Sequence, residues 1–184
     1  MAGPKTNAAL AAYFNTGDQP SESNFGDLID TIQPSNAIIS ETSGTKALTI
    51  ADHAFRNIIV GDLSGHLTLT LPTTFSHETT SANYAWFHII YFGPMTGDDD
   101  YNLLVKVGTE NTHEFSGTII HHSTANDSSG AALNAAVSAT GNNDVLTFTT
   151  GNHANIWIHA KSTETWYIWG NSISNAVGDM AIDD

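Results

Sequence analysis

The sequence predicts a mainly β protein: a β-sandwich or jelly-roll-like domain preceded by a short two-helix N-terminal arm. Three observations carry this. From Ala37 onward, short runs rich in Ile, Val, Thr, Tyr, Phe and Trp are broken by Gly, Pro, Asn and Ser clusters, the spacing of strands in an all-β domain. Within them, His66-Leu-Thr-Leu-Thr-Leu-Pro72 alternates strictly, so its leucines share one face and its threonines the other, the mark of a half-buried strand. The first 35 residues, by contrast, show helical apolar spacing.

In that opening segment, Pro4 suits a first helical position. Leu10, Tyr13 and Phe14 then fall at i, i+3 and i+4, one apolar stripe. Gly17 suits a left-handed cap, and Asp18-Gln19-Pro20 turns the chain. Ser21 or Ser23 caps a second helix, with Glu22 and Asp27 near its positive end. Its apolar positions are Phe25, Leu28, Ile29 and Ile32, and Pro34 stops it. Two helices this short do not fold alone.

Strands are expected near 37–40, 47–50, 57–62, 67–71, 84–92, 102–107, 114–121, 145–149, 155–160 and 166–169. Residues 132–141 fit either a short helix or an Ala-rich strand. Trp86–Phe92 is apolar on both faces. Trp86, His88, Ile90 and Phe92 point one way, and Phe87, Ile89 and Tyr91 the other. A two-layer domain buries one of these faces, so the first set is a candidate subunit interface. The acidic end, residues 173–184, reads as a flexible tail, which gives a division into an arm at 1–35, a β domain at 36–172 and a tail.

The 184 residues carry 19 acidic and 5 basic side chains, a formal net charge of −14. Phosphate binding needs clustered Lys and Arg, so nucleic acid and anionic membranes are not expected partners. With no cysteine, thiolate zinc sites, disulfides and thiol nucleophiles are excluded. The first residues lack the basic and long apolar regions of a signal peptide. No apolar run approaches the ~18 residues of a membrane-spanning helix.

Lys5, Leu10, Phe14, Gly17, Pro20, Ser21, Phe25 and Asp27–Thr31 (DLIDT) resemble the opening segment of phage virion structural proteins. Leu67–Thr74 (LTLTLPTT), Tyr84–Phe92, and Asn143–Gly170 with its closing Trp166-Tyr-Ile-Trp-Gly170 are similar to the later strands of such proteins. The middle, about 102–141, has no match, and Ser162-Thr-Glu-Thr-Trp166 departs from the usual Gly or Asn before the tryptophan. The resemblance implies a β-sandwich, commonly a homotrimer. Its arm would dock on the major capsid protein or another virion component through Leu10, Tyr13, Phe14, Phe25, Leu28, Ile29 and Ile32. With no room for a shaft, a capsid-decorating (head-decoration) protein or a head fibre or short tail-fibre or knob fits best. The place implied is the virion, after synthesis in a host cytoplasm.

Chemistry has few candidates. The nine histidines show no HExxH or similar ligand spacing. His88 and His159 read as packed, hydrogen-bonded core residues. His53, His66, His77, His113 and His153 read as solvated groups at strand ends, and His121 and His122 face opposite sides. Asp98, Asp99 and Asp100 form the densest acidic loop and the one calcium candidate. No GxSxG elbow or distinctive carboxylate pair occurs, so neither an enzyme nor a cofactor is expected. Tyr167 and Trp169 share a strand face and are candidate sugar contacts, which sets a carbohydrate- or host-receptor-binding module beside the virion reading.

Overall fold

The computed structural model describes residues 7–13, 19–32, 36–78, 81, 83–93, 101–110, 112–126, 132–139, 144–149, 153–174 and 180–183; for 7–9, 29–32, 123–126, 132–139 and 180–183 only the backbone is described. The chain is mainly β. The arm consists of α1 (Asn7–Tyr13) and α2 (Glu22–Ile32), which pack on each other. Ser21 begins α2, its hydroxyl accepting from the Asn24 amide at 3.2 Å, which satisfies one of the orphan N–H groups of the first turn. The Tyr13 hydroxyl donates to Asp27 Oδ2 at 2.9 Å and closes the helix pair. That bond to a carboxylate raises the Tyr13 pKa. Among the described residues, no apolar side chain of the arm belongs to the β core or packs against it.

Two sheets follow. The first has seven strands in the order β1-β3-β5-β10-β11-β7-β8. These are β1 (Ala37–Ile39), β3 (Asn57–Val60), β5 (Trp86–Phe92), β10 (His153–Ala160), β11 (Thr165–Ser174), β7 (Glu114–Asn126) and β8 (Ala132–Ala139). The second has five in the order β12-β9-β6-β4-β2: β12 (Met180–Asp183), β9 (Val145–Phe148), β6 (Leu103–Lys106), β4 (Leu67–Thr70) and β2 (Gly44–Ala47). The first six strands alternate between the sheets. β1, β3 and β5 pair in parallel in one, and β2, β4 and β6 in the other. The chain thus winds through three coils, each adding one strand to each sheet. Jelly rolls are antiparallel, so this winding is a different way of joining the strands.

The corners of adjacent coils stack tightly. Ser64 N donates to Thr42 O at 2.9 Å, and Gly44 N to His66 O at 2.8 Å. A Cβ on Gly65 would meet the Ser43 Cβ at 2.8 Å, so that corner requires a residue without one.

The inner faces of both sheets meet in one core. Ile58, Phe87, Ile89, Ile156, Ile158 and Ile168 enter from the first sheet; Leu67, Leu69, Leu103, Val105, Leu146 and Phe148 enter from the second. Each set follows the period of two in its strand. Trp166 is fully buried, its ring 4.0 Å from Phe75 between centroids. Tyr91 is buried too, and its hydroxyl pKa is pushed up to about 12 by burial, with the Asp62 carboxylate adding to the rise.

Three local expectations change. The strand expected at 47–50 stops at Ala47, and Ile50–His53 is a short helix, α3, capped by Thr49, whose hydroxyl accepts from Asp52 N at 3.1 Å. A four-residue helix lies below the length at which apolar periodicity can be read. The ambiguous Ala-rich segment is a strand, β8, paired with β7. The stretch 173–184, expected as a flexible tail, holds the end of β11 and then β12, which pairs with β9.

Candidate assembly face

The outer face of the seven-stranded sheet collects the distinctive side chains. In β10, Ala154, Ile156, Ile158 and Ala160 point into the core, which leaves His153, Asn155, Trp157 and His159 outside. Register sets their neighbours. Trp157 stands opposite His88 of β5 and Trp169 of β11. His159 stands opposite Trp86 and Tyr167, and Asn155 opposite Ile90 and Asn171. Cross-strand neighbours on one face lie about 5 Å apart, so these side chains form one continuous surface.

Its rings interlock. His88 is 3.9 Å from Trp157 and within 7° of parallel; Trp157 and Trp169 are 6.0 Å apart at 8°. Trp86 lies 5.4 Å from Trp157, and His159 lies 4.5 Å from Trp169. Phe55 extends the cluster to Tyr84 at 5.6 Å and Trp86 at 5.9 Å. Phe55 has φ +62°, a strained value for an aromatic residue, and its N–H donates to Trp86 O at 2.9 Å.

Beside the rings runs an aliphatic row: Ile38 faces Ile59, and Ile59 faces Ile90 across parallel strands. Ile38 is 75% exposed and Phe92 55%. Ile90, Phe92, His153, Asn155, Asn171 and Ile173 line a shallow depression of about 290 Å³, just under the usual size of a small-molecule pocket.

Around His88 the face carries amides in place of charges. Asn57 Oδ1 lies 2.8 Å from His88 Nδ1, and Asn155 Oδ1 lies 2.5 Å from His88 Nε2, so both ring nitrogens are engaged. Asn57 Nδ2 in turn donates to Asn36 Oδ1 at 3.0 Å. His159 differs: its Nε2 is buried without a hydrogen-bond partner, and burial lowers its pKa. Strands β1, β3, β5, β10 and β11 contain no Asp, Glu, Lys or Arg, in a chain with 19 acidic residues.

Trp86, His88, Ile90 and Phe92 therefore all lie on the face expected for them, with Tyr167 and Trp169 two strands away on the same surface. His88, expected as a packed, hydrogen-bonded core residue, is buried and engaged at both ring nitrogens, on the outer side of its sheet. His159, expected likewise, is only partly buried on that side, packed by neighbouring aromatic rings with its Nε2 unpartnered. His113, expected as solvated, is buried with its Nδ1 unpartnered. In the arm, Phe25 is 50% exposed, and Leu10, Tyr13 and Leu28 are partly buried. Phe14, Asp98, Asp99, Asp100 and the side chains of Ile29 and Ile32 lie outside the described residues. Trp157, Asn155 and His159 were not singled out as one surface, although the alternation of HANIWIHA places them on one face.

Elsewhere, His121 bonds Ser172 Oγ through Nδ1 at 2.7 Å and Ser174 Oγ through Nε2 at 3.2 Å. A hydroxyl on a histidine is a component of nucleophilic sites, but all three residues are buried, which makes the trio a satisfied polar cluster of the interior. Among the described residues, no three His, Asp or Glu side chains converge as a metal site, and no helix is long and apolar enough to cross a membrane. No protein-family model, curated protein or solved structure matches this chain.

Proposed function

We propose that this chain is a phage virion structural protein that acts by binding, as a capsid-decorating or short fibre or knob protein. It assembles with copies of itself through the outer face of the seven-stranded sheet, as a homotrimer, and attaches through the helical arm. The observation that carries self-assembly is the aromatic and aliphatic outer surface of β1, β3, β5, β10 and β11, strands that contain no Asp, Glu, Lys or Arg. Copies with a net charge of −14 repel one another, and they approach at least cost through the part of the face formed by β1, β3, β5, β10 and β11, which has no carboxylates. A basic partner would select the acidic surfaces instead. The phage assignment rests on the resemblance at the two ends of the chain. The arm supports attachment: its helices pack on each other, Phe25 is exposed, and none of its described apolar side chains contributes to the β core.

The absolute mass of the full chain, measured by light scattering at near-neutral pH in moderate salt, tests assembly. A trimer is expected, and a monomer at high concentration overturns this part of the reading. Attachment is tested by Phe25→Asp with Ile29→Asp, expected to abolish binding to the particle while the β domain stays folded.

A carbohydrate-binding module is favoured by one observation, the exposure of Tyr167 and Trp169 beside Asn171. Sugar stacking needs a free ring face. Trp157 already has near-parallel rings beside it, His88 and Trp169, which favours a packed contact between copies.

A further inference from the structure

We propose that contact between copies through this outer face is released by protonation of His159. The inference rests on the assembly reading above. His159 sits within an aromatic surround, 4.5 Å from Trp169, 6.0 Å from Trp86 and 6.2 Å from Trp157 between ring centroids, and its Nε2 is buried without a partner. A neutral imidazole tolerates this; an imidazolium leaves a charged donor without an acceptor. Three strands surround it: its own, β10, and the two paired with it, β5 and β11. The outward groups on them that titrate are His153 on β10, His88 on β5 and Tyr167 on β11, and the Lys161 ammonium lies just past the end of β10, donating to Ser116 Oγ. None is a carboxylate, so nothing on these strands compensates the new charge. A second copy presenting the same face brings no carboxylate from the corresponding strands. It also removes the remaining water from His159, so the assembled state resists the proton more than the free chain does.

The sign follows from linkage. The free chain binds a proton at His159 at a higher pH than the assembly does, so acid favours the free chain. General electrostatics runs the other way. Acidification neutralises carboxylates and weakens repulsion between copies that carry −14 each. Dissociation on acidification is therefore diagnostic, because only a group that resists protonation in the contact produces it.

The test uses the full chain, wild type and His159→Gln, with association constants from sedimentation at about pH 7.5 and about pH 5.5, above the sequence pI of about 4.6. Each histidine excluded from protonation weakens association by up to about tenfold per pH unit. The wild type is expected to lose association on acidification by at least about tenfold, and the ratio for the glutamine variant is expected to fall near one, whatever its absolute strength. Equal wild-type assembly at both pH values, or an undiminished ratio in the variant, overturns the proposal and leaves the assembly reading standing. A wild type that is monomeric throughout overturns both. If the variant does not associate at all, the wild-type His159 ring is titrated by NMR in dilute and concentrated samples. A lower midpoint in the concentrated sample is expected, and identical midpoints overturn the proposal.

Discussion

The His88 imidazole lies 3.9 Å from the Trp157 ring and within 7° of parallel to it, on the outside of the seven-stranded sheet, with an asparagine oxygen at each of its nitrogens. A neutral imidazole has one N–H, so the ring donates to the Asn57 oxygen and accepts from the Asn155 amide turned to present its NH2, Asn57 Nδ2 being already given to Asn36. At His88 the surface therefore loses little hydrogen bonding when it is covered, because that ring is already paired within the chain.

Trp169→Asp is expected to abolish self-association while leaving the domain folded. Trp169 is 37% exposed and points away from the core, whereas Trp166 and Ile168 carry the inward packing of the same strand. A carboxylate at this position puts a desolvated charge into an uncharged contact. Removing an aromatic anchor from an interface costs at least about 2 kcal/mol, about thirtyfold in association constant. Light scattering checks the mass and thermal unfolding checks the fold. A variant that assembles like the wild type places the contact elsewhere.

Gly170→Ala is expected to destabilise the domain by more than about 2 kcal/mol. Gly170 has φ +149°, and a Cβ there would lie 2.2 Å from the Asn155 carbonyl oxygen. The collision is backbone against backbone in the β10–β11 pair, and it displaces the strand that carries Asn155 and Trp157. Gly26→Ala is the contrast. It lies within α2 with nothing within 4 Å of its added Cβ, so the arm helix gains about 0.5–1 kcal/mol. The two changes are compared by chemical denaturation of the domain and by helix content; equal small effects would contradict the Gly170 geometry.

What could be read beforehand divides along the period of two. LTLTLP and WFHIIYF showed which side chains share a face because strand geometry fixes alternation locally, and the structure buries Leu67, Leu69, Phe87 and Ile89 accordingly. The parallel coils were not legible, since alternation is the same whether a strand pairs with its next neighbour or with the strand after it. The turn chemistry that sets the winding lies in details such as the close approach of Gly65 to Ser43. The role of β12 was hidden because Met180–Asp183 is acidic and short, and its pairing with β9 depends on a distant partner. The assembly face was half legible: β5 announced its second apolar face, but its continuation through Trp157 and His159 required the register of β10.

The pH dependence of folding provides a separate test, at His113. This residue is buried, its ring 5.0 Å from Phe75 in an edge-on contact, and its Nδ1 has no hydrogen-bond partner. Burial lowers its pKa, opposed in part by the Glu164 carboxylate. In the unfolded chain an imidazole titrates near the ordinary value of about 6.5. Above that value both states are neutral and His113 adds no pH dependence. As pH falls from there toward the lowered folded-state value, the unfolded chain takes up a proton that the folded domain refuses, and stability declines by up to about 1.4 kcal/mol per pH unit. Below the folded value the slope ends. His53 and His159 are lowered in the same direction, also by burial, so His113→Phe is expected to reduce the slope without abolishing it. The phenyl ring keeps the contact with Phe75 and removes the unpaired nitrogen, so stability at about pH 7.5 is expected to hold or rise. Urea midpoints between about pH 7.5 and about pH 5.5, at concentrations where the chain is monomeric, measure both quantities. An unchanged slope in this variant would show that His113 takes up its proton equally in the folded and unfolded states.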